Sequence, residues 1–335
     1  MELSRTINSD KRYYLDENTI ENTASFLQTM RVFNDAKMDL YNALYDQKYL
    51  ASGPLIDHAY PVFLKEKYKT NDYYNAAIYS ATSSSISSQK ELKKYYSTTI
   101  TADLKTRDEK IQTIQEALDK KKAVKNSIRI YRKDGRWITP YPRCQLKVKG
   151  LMIVLFNKTI VKLDEYERSV EADIRKLKTR LALVTEARKR KEKKLENIKN
   201  LPPERIVFGG KKLYSEKDTV GITKSAEDNK TSQKALKEWK QEFFEKRHQS
   251  MALPGRHTSK YGNFLCKYDG KDLSVTCIDG TTTVFHDFKL PRYNEAFQNN
   301  FTCKPENRQS LCYNFTVKRD RKNRQYIIVS VTMKL

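Results

Sequence analysis

Paired cysteines, long apolar runs and clustered histidines are all missing from this 335-residue sequence. The five cysteines (Cys144, Cys266, Cys277, Cys303 and Cys312) are odd in number, widely spaced and never in a C-x-x-C pair, which excludes a disulfide framework and a zinc ribbon. Four histidines (His58, His248, His257 and His286) form no H-E-x-x-H and have no neighbouring cysteine, so no metal centre is expected on them. The longest apolar run, around Leu151–Phe156, is far short of the roughly 20 residues of a spanning helix. The start MELSRTINSD has no apolar leader core. These absences predict a soluble, cytoplasmic protein with no membrane partner. Nucleotide-binding and hydrolase signatures are missing too. Gly209-Gly210-Lys211 is too short for a phosphate-binding G-x-x-x-x-G-K-[ST] loop, there is no G-x-S-x-G, and Asp272, Asp279 and Asp287 make no convergent metal-binding triad. No catalytic residue, resident metal or cofactor is expected.

What is abundant is positive charge. The 65 Lys and Arg outnumber the 41 Asp and Glu, leaving a formal charge of +24, and a compact body so charged repels itself unless a polyanion neutralises it. Nucleic acid is the partner this predicts. At 38% apolar and 11% aromatic residues the chain has material for a core, and its length suits about two domains.

Residues 2–8 alternate like a short edge strand, and helical spacing then runs from Thr19 to Leu50 until Gly53-Pro54 breaks it. A second helix is predicted from His58 to Tyr68. A third, capped by Asn71-Asp72, carries Tyr73, Ala76, Ala77, Ile86 and Leu92. Its stretch Thr82-Ser83-Ser84-Ser85-Ile86-Ser87-Ser88-Gln89-Lys90 is rich in small hydroxyl and amide groups, which suit a tight helix–helix contact, a loop or a face that reads DNA. Residues 146–156 read as buried. The clearest period follows: Leu163, Tyr166, Val170, Ile174, Leu177, Leu181 and Val184 form the seam of a coiled coil or a long helical hairpin near 160–200. Arg188 and Lys191 interrupt that seam within the basic run Arg188, Lys189, Arg190, Lys191, Lys193 and Lys194. A solvated helix face or a helix end held against phosphates would each explain the run. After Pro202-Pro203 the texture turns β-rich: Arg205–Phe208, then Gly209-Gly210 presenting Lys211 and Lys212, a helix with Trp239 and Phe243, and strands near 263–268, 273–278, 282–288, 313–318 and 325–334.

In order and over nearly the whole chain, these pieces resemble the N-terminal half of transposon-encoded TnpB proteins, RNA-guided nucleases related to type V CRISPR effectors. The resemblance is carried by the opening Leu3-Ser4-Arg5-Thr6-Ile7, by Tyr41-Asn42-Ala43-Leu44, and by Asp72-Tyr73-Tyr74-Asn75 with Ser88-Gln89-Lys90-Glu91-Leu92. Residues 205–213, Trp239–Gln249, Lys260-Tyr261-Gly262-Asn263 and 322–331 add to it. It implies an α+β chain: a small antiparallel β-barrel, the wedge domain, made of residues 1–10 and 205–335, with a helical recognition domain inserted over 11–204. It further implies that a structured guide RNA is held by the Arg188–Lys194 run, Arg205, Lys211, Lys212, Arg247, His248 and Arg256. Target DNA would be met by Tyr73, Tyr74, Thr82, Ser83, Ser84, Ser87, Gln89 and Lys90, and the guide–target duplex held through its backbone. Family members continue into a RuvC-like nuclease, which the resemblance places after Leu335, so cleavage and Mg2+ would come only with a RuvC-bearing partner. Two alternatives stay open: the front half of a split endonuclease, and a basic coiled-coil scaffold for ribosomal RNA or a protein.

Overall fold

The computed structural model describes residues 4–51, 59–220 and 228–334. Glu2, Leu3, Gly53, Pro54 and His58, on which part of the sequence reading falls, lie outside them. The fold is α+β with antiparallel sheets, and the chain divides into two compact units, residues 1–88 with 204–335 and residues 89–203. Residues 11–88, expected within a helical domain over 11–204, instead share a core with the C-terminal strands.

In the first unit, β1 (Ser4–Asn8) pairs antiparallel with β11 (Gln325–Lys334), from Ser4 opposite Lys334 to Asn8 opposite Ser330. β11 also pairs with β10 (Cys312–Arg319) and with the two-residue β2 (Tyr13–Tyr14), and β10 pairs with β6 (Ser250–Leu253). A second sheet runs β7 (Cys266–Tyr268), β8 (Leu273–Thr276) and β9 (Thr282–Phe285). One bridge, Ile20 to Phe285, joins the preceding chain to it. Among the described residues these ladders close no barrel.

Helix α1 (Thr23–Tyr45) forms because Phe26, Met30, Phe33, Leu40, Tyr41 and Leu44 recur on one stripe, and that stripe is buried. It meets the sheets through Phe26, whose ring stands edge-on to Phe285 at 5.2 Å and to Phe315 at 5.0 Å. A π-helical turn (Asp46–Leu50) follows. Then come α2 (Tyr60–Tyr68), with Pro61 in its first turn, and α3 (Asp72–Asp134), whose start is capped by the Asn71 side chain accepting from the N–H groups of Tyr73 and Tyr74. Within α3 the Thr and Ser hydroxyls turn back onto carbonyls four residues earlier, as Thr82 does on Ile78 and Thr99 on Tyr95, so a hydroxyl-rich stretch stays helical. Arg205–Phe208, expected as a strand, is irregular. Gly209 and Gly210, both at positive φ, turn the chain into α5 (Lys211–Val220), and a Cβ on Gly209 would sit 2.9 Å from the Phe243 ring. α6 (Asp228–His248) closes a small cluster in which the Trp239 indole stacks on Phe243 and donates to the Leu213 carbonyl. A short α7 (Asn294–Thr302) precedes β10.

The second unit is a helical hairpin: the rest of α3 and α4 (Leu163–Asn200), joined through a three-stranded meander of β3 (Lys147–Lys149), β4 (Met152–Val154) and β5 (Ile160–Lys162). The predicted seam is real, and it is covered within the chain. Leu163, Val170 and Ile174 are buried with Leu118, Val124 and Ile128 of α3, and Tyr166, Leu177 and Leu181 pack beside them. The expectation that 146–156 is buried fails on one side of the meander: Ile153 is inside, but Leu151 and Phe156 are 81% and 78% exposed. Both lie in the turns flanking β4, and a three-residue strand has too few inward positions to bury the whole apolar run.

Candidate nucleic-acid interface

In the first unit, the first turns of α3 present Tyr73, Ser80, Ser84 and Ser87 to solvent at helical spacing, while Tyr74, Ala77, Ile78 and Thr82 point into the core. Tyr73 stacks on Phe264 with ring centres 4.6 Å apart and planes 19° from parallel. These residues border a cavity of about 190 Å³ whose other walls include Gly255 and Arg256. That volume is below the roughly 300 Å³ at which small-molecule pockets begin, so the feature suits a group edging into a surface rather than an enclosed ligand. The loop carrying Arg256 is held rigidly: its N–H donates to the Gly262 carbonyl, and a Cβ on Gly255 would meet that same oxygen at 2.1 Å. Asn263 anchors the loop from beneath, donating to the Leu253 and Leu311 carbonyls and accepting from the N–H groups of Leu265 and Cys266. Arg256 is exposed and meets no acidic partner among the described residues.

Of the residues expected to touch DNA, Tyr73, Ser84, Ser87 and Lys90 are exposed and Ser83 is half-buried. Three are misplaced for that role. Tyr74 is fully buried, donates to the Thr276 carbonyl, and has its hydroxyl pKa pushed up by burial. Thr82 is fully buried and donates to Ile78, and Gln89 is buried as well. The reason is the 100° advance per residue, which turns part of any consecutive polar run inward.

The residues expected on RNA divide similarly. In the second unit, Arg188 bonds Asp108 and Glu192, Lys191 reaches Asp103 at 3.2 Å, and Arg190 pairs with Glu186. The seam's interruption at Arg188 and Lys191 is thus met by acids of α3. Lys189, Lys193 and Lys194 remain exposed without an acidic partner among the described residues. In the first unit, Arg205 pairs with Asp46 and lies 4.8 Å over the Tyr45 ring, and Lys211 pairs with Glu204. Lys212 is exposed, and Arg247 lies 4.9 Å over Phe243. His248 is withdrawn from any ligand: it is buried, with Nδ1 2.7 Å from the Phe244 carbonyl and Nε2 2.8 Å from Asp35.

Elsewhere in this unit a groove of about 970 Å³ lies between α6 and the β10–β11 hairpin. Its Lys246 and Arg319 pair with Glu242 and Glu245, so much of its charge is neutralised internally. Among the described residues no group of His, Cys, Asp or Glu is placed to hold a metal ion, and no helix is long and apolar enough to cross a membrane. Phe264, the stacking partner of Tyr73, is not legible in the sequence, since 191 residues separate the two and only the fold brings the segment before β7 to the start of α3. Comparison with known protein families, curated proteins and solved structures finds no match in any of the three.

Proposed function

We propose that this chain is a nucleic-acid-binding protein: the guide-RNA-binding and target-DNA-recognising portion of a TnpB-like RNA-guided system, with no nuclease centre of its own. The observation that carries the reading is the set of exposed cations without acidic partners among the described residues, Lys189, Lys193 and Lys194 on α4 and Lys212 and Arg256 in the first unit, in a chain of net charge +24. Internal pairing has already used up Arg188, Lys191, Arg205 and Lys211, and what is left over is basic. Structured RNA meets these lysines and Arg256 through its phosphates, and DNA meets the Tyr73–Ser87 face beside the Arg256 cavity. In this reading the two sheets of the first unit are a partly open wedge barrel. Any cleavage requires a RuvC-bearing partner, and Mg2+ enters only with it. A dimeric coiled-coil scaffold has less support, because α3 already covers the α4 seam.

The test is RNA binding by the purified chain across a salt series. The logarithm of affinity should fall linearly with that of salt, with a slope near 0.7–0.9 per phosphate neutralised. Salt-insensitive binding, or purification from cells without a discrete RNA, would sink the proposal.

A further inference from the structure

The meander in the second unit has two unlike faces. Its register sets Lys147 opposite Val154 and Val154 opposite Ile160, then Lys149 opposite Met152 and Met152 opposite Lys162. With side chains alternating along each strand, Val148, Ile153 and Val161 face the helices and belong to their core. The opposite face therefore carries Lys147, Lys149 and Lys162 interleaved with Met152, Val154 and Ile160. Ile160 is 60% exposed and Met152 37%, and Phe156 projects from the β4–β5 turn.

The charge here is one-sided. From Gly135 to Lys162 the sequence contains Arg136, Arg143, Lys147, Lys149, Lys158 and Lys162 and not one Asp or Glu. The three lysines of the face have no acidic partner among the described residues, and the next carboxylate along the chain, Asp164, is taken by Arg132. Lysines crowded on one small sheet repel each other, and apolar side chains held in water between them gain nothing. An occupant that relieves both must offer anions and flat apolar surface within a few ångströms of each other. An unpaired nucleic-acid strand does, since every nucleotide carries a phosphate and a base with two exposed faces. A lipid surface fits less well: Lys149 and Lys162 stand in register on either side of Met152, so seating Met152 among acyl chains would press two ammonium groups against them.

We propose that this outward face is a binding site for an unpaired segment of nucleic acid, with Lys147, Lys149 and Lys162 taking successive phosphates and Phe156 stacking a base. The inference rests on the reading that the chain binds nucleic acid, and adds a place and a strand form to it.

The experiment uses the whole chain and a fluorescein-labelled, uridine-rich RNA of about 20 nucleotides, long enough to span one such surface, with binding followed by anisotropy. The double variant Lys149→Glu/Lys162→Glu should weaken binding at least tenfold and lower the salt slope by about 1.4, two contacts at about 0.7 each. Phe156→Ala should weaken it roughly five- to a hundredfold, as expected for one base stack, and leave the slope unchanged. A duplex of equal length, its bases already stacked on each other, should not distinguish Phe156→Ala from the parent. All three positions are exposed, so circular dichroism and the melting midpoint should not change; the milder Lys149→Ala/Lys162→Ala pair serves if the charge reversal disturbs them. If the parent binds the RNA and the variants bind it equally well, this site is wrong while the wider reading stands. If the parent binds no RNA, both fall. Flotation with phosphatidylserine vesicles that depends on Phe156 would assign the face to a membrane surface and overturn the proposal.

Discussion

Asn263 shows how one side chain can carry a loop. Its amide makes four hydrogen bonds to backbone groups of three separate segments while 1% exposed, so Asn263→Ala removes a partner from two carbonyls and two N–H groups in a dry place. A loss of about 2–4 kcal/mol is expected, read as a lower urea midpoint by circular dichroism. His286 is a second such residue. Nδ1 lies 3.0 Å from Asp272 and Nε2 3.1 Å from Glu21, with Lys11, Lys271 and Asp287 around them. The hydrogen bond to Asp272, with the charges of Asp272 and Glu21, raises the His286 pKa above its ordinary 6.5. Burial works to raise Asp272, but the Asp287 N–H and the His286 ring outweigh it and hold it below 3.8. The contribution is therefore full from about pH 4 to about pH 6.5, fades as pH rises through the raised histidine value, and fades as pH falls through the lowered aspartate value. His286→Gln should accordingly lower the melting midpoint more at pH 6 than at pH 8.5; an equal drop at both would count against the pairing. Neither role was legible in the sequence, where Asn263 belonged to a turn and His286 to a strand. Their distant partners lie 10, 14, 48 and 265 residues away. Residue type did predict exposure badly for Tyr74, Thr82 and His248, because a polar group is free to be buried once the fold supplies it a partner.

At the scale of elements the sequence was more informative, since periodicity reports which face is buried. The α1 stripe, the Asn71 cap, the α4 seam and the C-terminal strands all appear near their expected places. What periodicity could not say is what covers a seam. Here α3 does, so Ile128→Ala in its fully buried contact with α4 should cost about 2–5 kcal/mol in the second unit, measured by hydrogen exchange of α3 and α4 amides. Nor could it separate paired from unpaired lysines in the run at 188–194. Arg188→Met should change RNA affinity less than twofold and leave the melting midpoint nearly unchanged, since its Asp108 and Glu192 pairs are exposed to solvent. Replacing Lys189, Lys193 and Lys194 together with alanine should weaken RNA binding and flatten its salt dependence by about 2–3 in slope. Equal effects from the two variants would mean that the pairing at Arg188 is irrelevant to the surface. The apolar run of the meander suggests burial throughout, whereas the fold splits it into inward Ile153 and outward Met152 and Phe156.

For the molecule as a whole, composition reports the sum of charge and is silent about arrangement. A charge of +24 on 335 residues is the ground on which a polyanionic partner is proposed, because long-range repulsion depends on the sum of charges and little on their order. Local pattern reaches the mixture of elements too: alternation in the C-terminal third and 3.6-residue periods before it mark strands after helices, and the fold is α+β with antiparallel sheets. Tertiary structure alone decided how the chain divides. Residues 11–88 look helical and were grouped with the helices after them, yet Phe26 and its stripe are buried against β9 and β10, so they share the core of the C-terminal strands. It also decided which charges stay free, since an ion pair needs two groups within about 4 Å and the fold brings Arg188 to Asp108 and Arg205 to Asp46 from positions 80 and 159 residues apart. Local order along the chain carries periodicity, caps and turns; contacts between distant segments, which set pairing, burial of polar groups and the leftover basic surface, exist only once the chain has folded.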